Sequence, residues 1–204
     1  MEEILDRIAQ LGPGRRVVAI AGAPGSGKST LAAQLVARLS GAVLVPMDGF
    51  HLDNRLLDRD GLRSCKGAPE TFDAAGFVKL IERLKTGGEV IYPLFDRERD
   101  LAIAGAGRVE AETRLIVVEG NYLLLDRVPW RQLAGLWDLS VMLDVPQDEL
   151  RRRLTARWQG LSRSPAEVMA HLENDLGNAE VVLRESMTAD LVVQPESISL
   201  AETP

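Results

Sequence analysis

A three-layer α/β fold, with helices on both faces of a mainly parallel sheet, is predicted by two observations. Six short apolar runs alternate with longer stretches of helical period, and a glycine-rich loop at residues 22–29 joins the first run to the first strongly periodic helix. In chain order, Ile4, Leu5, Ile8 and Leu11 share a helix face that ends at Gly12-Pro13-Gly14. The apolar runs at 17–20, 43–45, 90–92, 115–118, 139–143 and 191–193 read as strands buried on both faces. Leu31, Leu35 and Leu39 mark a second helix, and Phe77, Leu80, Ile81 and Leu84 a third, with Gly41 and Gly87-Gly88 as stops. A further helix is expected over 147–158 with Leu150, Leu154 and Trp158 on one face. Ser164-Pro165-Ala166-Glu167 then opens another with a capping box. The polar stretches 53–68 and 96–113 lack period and are expected to be mobile loops or a small insertion.

Composition narrows the function classes. The 204 residues suit a single domain, and a net charge of -6 disfavours non-specific nucleic-acid binding. The 24 basic residues divide into 20 Arg and 4 Lys, a skew towards the side chain that grips phosphate or carboxylate with two hydrogen bonds. Cys65 stands alone, so no intrachain disulfide forms, and two histidines leave no Cys/His zinc site. The acidic start Met1-Glu2-Glu3 and the lack of a long apolar run argue for a cytoplasmic chain without signal peptide or membrane span.

Gly22-Ala23-Pro24-Gly25-Ser26-Gly27-Lys28-Ser29 satisfies G-x-x-x-x-G-K-[ST] between a strand and a helix. Its glycines let backbone N–H groups curl around phosphate oxygens, the helix that follows through Thr30 adds its positive end, and Lys28 reaches the terminal phosphates. Ser29 is the expected Mg²⁺ ligand. Binding of ATP or GTP follows. In a parallel sheet the strand ends converge, so Asp48, just after the second strand, and Glu119, after four apolar residues, are expected beside this loop. Either carboxylate suits Mg²⁺, and Asp48 can face the γ-phosphate. Asp48 also reads as a turn residue before Gly49.

Five motifs occur in order: residues 22–29, Met47-Asp48-Gly49-Phe50-His51, the block 66–73, Tyr92-Pro93-Leu94-Phe95-Asp96-Arg97, and Val118-Glu119-Gly120-Asn121-Tyr122. The set resembles the P-loop small-molecule kinases that include uridine kinase, phosphoribulokinase and bacterial pantothenate kinase. It most resembles the bacterial fructose-transport-associated kinases, called fructokinases. The resemblance implies a P-loop NTPase fold, ATP and Mg²⁺, and a small-molecule hydroxyl acceptor, with Asp48 as general base. It places Tyr92, Asp96 and Arg97 on the acceptor side and Glu119 near Mg²⁺ or the acceptor. Asn121 and His51 are further acceptor-side candidates, with His51 either donating a hydrogen bond to a substrate hydroxyl or closing the loop after Phe50. Asp-Gly-Phe-His stands where uridine kinases carry Asp-Ser-Phe-Tyr, which disfavours a nucleoside acceptor. Thr71 or Asp73 reads equally well as a cap for the helix that follows.

Residues 150–164 hold Arg151, Arg152, Arg153, Arg157 and Arg163 and no acid. Arginines on a closing helical lid stabilise the charge of a transferring phosphoryl group and exclude water. Arg153 and Arg157, four residues apart, are the expected catalytic pair, in a lid over about 150–178 above acceptor-side loops at about 48–72 and 92–113. The expected activity is phosphorylation of a small metabolite, a sugar such as fructose, with a nucleoside or pantothenate-type alcohol as alternative acceptors and a homodimer left open. A regulatory GTPase switch lacks its Asn-Lys-x-Asp, and Asp58-Arg59-Asp60-Gly61 follows no strand. A nucleic-acid end kinase lacks a basic, aromatic-studded groove.

Overall fold

A computed structural model describes residues 1–160 and 164–194. Five strands form a parallel sheet in the order β2-β5-β1-β6-β7: β1 Arg16–Gly22, β2 Ala42–Pro46, β5 Leu115–Gly120, β6 Leu139–Leu143 and β7 Leu191–Val193. The central strand β1 alternates its side chains between two cores. Val17, Ala19 and Ala21 join one, with α4 (Ala74–Thr86), Trp130 and the end of α6 (Pro165–Glu185). Val18 and Ile20 join the other, with Ile4 and Ile8 of α1 (Glu2–Ala9) and Leu31 and Leu35 of α2 (Lys28–Arg38). Burial on both faces is why the β1 and β5 runs are continuously apolar, whereas Val192 of the edge strand β7 is exposed. Ser164 and Glu167 form the expected capping box at the start of α6. Asp73 caps α4 by accepting from the Gly76 amide, whereas Thr71 instead bonds the Gly67 amide and the Ala68 carbonyl. Within 53–68 the structure places the short helix α3 (Asn54–Arg59).

Two expectations need correction. The run 90–92 belongs to β3 (Val90–Asp96), which lies outside the parallel sheet and pairs antiparallel with β4 (Leu101–Val109). Val90 and Tyr92 are buried while Ile91 is exposed, the alternation of a ribbon with one face on the core. β4 itself occupies the stretch read as a loop, because Ala102, Ala104, Gly105, Ala106 and Gly107 dilute its pattern. A register shift opposite Pro93, with Gly105 at φ 69, breaks its period. Gly107 is bare because a Cβ there would collide with the Tyr92 ring.

Asp138, just before β6, ties the layers together. It accepts from the Val17 amide at 2.8 Å, Lys85 Nζ at 3.0 Å and Arg16 Nη1 at 3.0 Å. Burial opposes its charge, but these donors outweigh it and hold the carboxyl below the usual aspartate range. A depressed folded-state pKa contributes stability above the unfolded value of about 3.9, and that contribution is lost as pH falls through the folded value. Asp138→Asn is therefore expected to cost about 1–3 kcal/mol at pH 7, with the gap to wild type narrowing in acid. Urea midpoints at pH 7 and pH 3 check this; a gap independent of pH would refute it.

Candidate active site

Parallel strands bring three loops to one edge of the sheet. The loop after β1 turns through Gly25 at φ 79 and Gly27 at φ 92, conformations open to glycine. Gly22 makes room for Ser26, whose Oγ would lie 2.6 Å from a Cβ there. Gly27 gives α2 no side-chain cap, so the first N–H groups of Lys28, Ser29 and Thr30 point into the loop. Ser26 Oγ is buried without a hydrogen-bond partner among the described residues. An uncapped helix start beside an orphaned buried hydroxyl fits a phosphate group. Ala23 and Pro24 are buried and complete the turn.

Glu119 ends β5 in register with Ile20 of β1 and Pro46 of β2, which sets its carboxylate between the two neighbouring loops. It accepts from Ser29 Oγ at 3.0 Å. Burial pushes this carboxyl up; Lys28 and the Ser29 hydrogen bond pull it down, and Asp48 adds to the rise. Gly120 has no side chain because Met47 Cβ lies 2.5 Å from where one would begin, and this seats the short turn Met47–Phe50 over β5. That turn carries Asp48. Gly49 packs so closely on the Pro93 carbonyl that no Cβ fits, locking the turn against β3. The partly buried Lys28 sits in the field of both acids: burial lowers its pKa, while Glu119 and Asp48 oppose the fall.

A hydroxyl paired with a carboxylate is a hard, oxygen-only donor set that suits Mg²⁺. Among the described residues no cluster of three or more His, Cys, Asp or Glu side chains is placed to hold a metal by itself. That matches an ion that completes its shell with substrate phosphates and water.

On the acceptor side, Arg97 Nη2 lies 2.7 Å from Asp48 Oδ2. The His51 ring sits between Phe72 and Phe95 in tilted contacts, with centroids 4.0 and 4.6 Å away, and its Nδ1 is 2.8 Å from the Asp48 carbonyl. Burial pushes His51 below its ordinary range, with the Asp48 charge opposing. A carbonyl only accepts, so this contact takes the Nδ1–H, and a neutral ring then offers Nε2 as an acceptor. Tyr92 departs from expectation: it is buried in the core and donates its hydroxyl to the Leu44 carbonyl at 3.0 Å. Asp96 turns back to accept from the Arg99 amide, shaping the β3–β4 turn. Asn121 Oδ1, just past Glu119, is buried without a hydrogen-bond partner among the described residues.

The helix α5 (Gln147–Gln159) packs Leu154 over Gly25, and Arg153 donates to the Ser26 carbonyl at 3.1 Å and to Glu149 at 2.6 Å. Hydrogen bonds from Arg152 and Arg153 hold Glu149 down to about 2. Arg157 stands over the Trp158 ring, 5.4 Å from its centroid. Arg163 lies outside the described residues. Beyond the expected lid bound of about 178, Ala179 and Val182 of α6 pack in the core.

The structure gives two further residues a defined place. Asp175 on α6 accepts from Trp158 Nε1 at 2.8 Å; burial raises its carboxyl, and the fields of Arg157, His171 and Lys28 oppose the rise. Lys66 joins the acceptor-side elements. Its Nζ reaches Asn54 Oδ1 at 2.7 Å, the Asp100 carbonyl at 2.9 Å and Asp100 Oδ1 at 2.7 Å, and its carbonyl accepts from Asn174 of α6 at 2.8 Å. It opens the 66–73 block, one of the five ordered motifs of the sequence. Lys66→Met is expected to release the hairpin and raise KM for the acceptor about tenfold, equivalent to 1.4 kcal/mol, with a smaller change in KM for ATP. Steady-state kinetics in both substrates decide; equal shifts would assign Lys66 to stability alone.

The parallel order, the phosphate loop and the acids at neighbouring strand ends define a P-loop kinase. The chain belongs to the Phosphoribulokinase / Uridine kinase family, which it matches over residues 17–198. A solved structure from Silicibacter sp. TM1040, named a "putative fructose transport system kinase", shares 50% identity and a TM-score of 0.87, covering 94% of this chain and 96% of that one. YggC of Escherichia coli K12 is 40% identical over 94% of this chain and 83% of its own length. A pantothenate kinase of Streptomyces coelicolor is 30% identical over 71% of this chain and 48% of its own. The protein is thus a phosphotransferase with a hydroxyl acceptor, and its family uses ATP.

Proposed function

We propose that the protein is a cytoplasmic enzyme that transfers the γ-phosphoryl group of ATP to a hydroxyl of a small sugar. The observation that carries this reading is the facing set of Lys28, Glu119 and Asp48 at three converging loops, with Arg97 at 2.7 Å from Asp48 at its rim. Loop amides and Lys28 hold the β- and γ-phosphates. Ser29 and Glu119 would hold Mg²⁺, which when bound supplies charge neutralisation to those phosphates. Asp48 accepts the proton of the acceptor hydroxyl as its oxygen bonds to the γ-phosphorus and the bond to the ADP oxygen breaks. Arg153 and Arg157 on α5, with the start of α6, form the lid. His51, Arg97 and Asn121 line the acceptor side.

The relative from Silicibacter suggests fructose as the sugar. ADP release over ketoses, aldoses, nucleosides and pantothenate, with Lys28→Ala and Asp48→Asn as blanks, tests the reading. A sugar is expected to raise release above the blanks. If nothing does, the metabolite-kinase reading fails; if only a nucleoside or pantothenate does, the sugar is wrong.

A further inference from the structure

Asp175 is a half-buried carboxylate that the proposed phosphoryl transfer does not use, and its surroundings point to a task. It lies on a stretch of α6 that is firmly seated: Leu172, Asn178, Ala179 and Val182 are buried, and Asn174 donates to the Lys66 carbonyl at 2.8 Å. The neighbouring helix α5 is held unevenly along its length. Its middle is pinned to the phosphate loop, where Leu154 packs over Gly25 and Arg153 donates to the Ser26 carbonyl at 3.1 Å. Its buried residues are Leu150 and Leu154, so the last turn, which carries Arg157, runs on past them.

Trp158 fastens that turn to α6. Its Nε1–H donates to Asp175 Oδ2 at 2.8 Å. Its ring stacks on His171, one helical turn before Asp175, with centroids 4.3 Å apart and planes 11° from parallel. The guanidinium of the exposed Arg157 lies over the same indole, 5.4 Å from the ring centroid, so the place of the indole bears directly on the place of Arg157. Stacking alone lets two rings slide and turn over one another, whereas a hydrogen bond to a charged acceptor fixes the direction of the indole edge. The charges show which space this contact borders. Asp175 lies in the fields of both Arg157 and Lys28, and Lys28 in turn lies in the field of Arg157, so the docked end of α5 faces the phosphate end of the site.

We infer that Asp175 is a positioning residue: by accepting from Trp158 Nε1 it docks the end of α5 on α6 and holds Arg157 towards the phosphate loop. This rests on the proposed lid role of Arg157 and adds the residue that sets its position. A cation aimed at charge that develops on the transferring group acts only when it is in place, and a displacement of about 1 Å can cost about 100-fold in rate. Loss of the contact therefore falls on kcat.

The indole Nε1–H signal of Trp158, identified by its absence from the NMR spectrum of Trp158→Phe, tests the contact without any acceptor. Its exchange with solvent is expected to quicken about tenfold or more in Asp175→Ala and to stay slow in Asp175→Asn, which keeps an accepting oxygen. Turnover is followed as ADP release from Mg-ATP with the member of the acceptor panel that releases most. Asp175→Ala is expected to lower kcat about 10- to 100-fold with KM for the acceptor within about twofold of wild type, and Asp175→Asn to restore most of the loss. Trp158→Phe removes the same hydrogen bond from the other side and is expected to match Asp175→Ala, which covers the case in which the latter does not fold. Added to Arg157→Met, Asp175→Ala should cost less than about twofold more. Unchanged indole exchange in Asp175→Ala, a lowered urea midpoint with kcat as in wild type, or fully additive losses in the double variant overturns the inference and leaves the kinase reading intact. Arg157→Met as fast as wild type defeats the lid role and the inference with it.

Discussion

Asp48→Asn is expected to lower kcat by about 10² to 10⁴ while nucleotide binding stays near wild type. In the proposed mechanism the loop after β1 grips the phosphates, whereas Asp48 stands on the turn after β2, so the substitution would remove the proton acceptor and leave the nucleotide contacts in place. The fold should tolerate the change. The pair that Asp48 makes with Arg97 is 23% and 61% exposed, and pairs this open contribute about 0–1 kcal/mol. Single-turnover rates, set beside titration with a non-hydrolysable ATP analogue, check the result. A variant turning over at the wild-type rate would remove Asp48 from the chemistry.

Lys28→Ala is expected to cost about 10² to 10³ in kcat and to weaken nucleotide binding as well. The ammonium is the cation between two acids at the phosphate end, and Glu119 owes part of its ionisation to it. Burial already pushes the Glu119 carboxyl up, and Lys28 is the largest opposing influence. Removing Lys28 therefore raises Glu119 further, and the acid limb of the residual pH–rate profile should move to higher pH. An unshifted limb, with kcat still depressed, would separate Lys28 from Glu119.

The legible parts of this protein are those in which contiguous residues do the work. The phosphate loop is eight consecutive residues, and the α6 capping box is local to Ser164 and Glu167. The acids at strand ends were readable because a buried apolar run leaves little doubt where a parallel strand stops. The hairpin was not. Val90, Ile91 and Tyr92 look like a central strand, and only the partner Leu101–Val109, bulged opposite Pro93, reveals a two-stranded ribbon. Tyr92 shows the same limit, since its motif pointed to the acceptor while its side chain bonds Leu44, 48 positions away.

Local spacing thus determined by itself the α/β alternation, the nucleotide loop and the two carboxylates, since backbone conformation and hydrophobic period are properties of neighbouring residues. Tertiary structure alone decided the rest: that Arg97 covers Asp48, that His51 spends its Nδ1 on a backbone carbonyl, and that Lys66 and Asn174 join the hairpin to α6. Those contacts link residues far apart in the chain, and only packing around two cores brings them within hydrogen-bond reach.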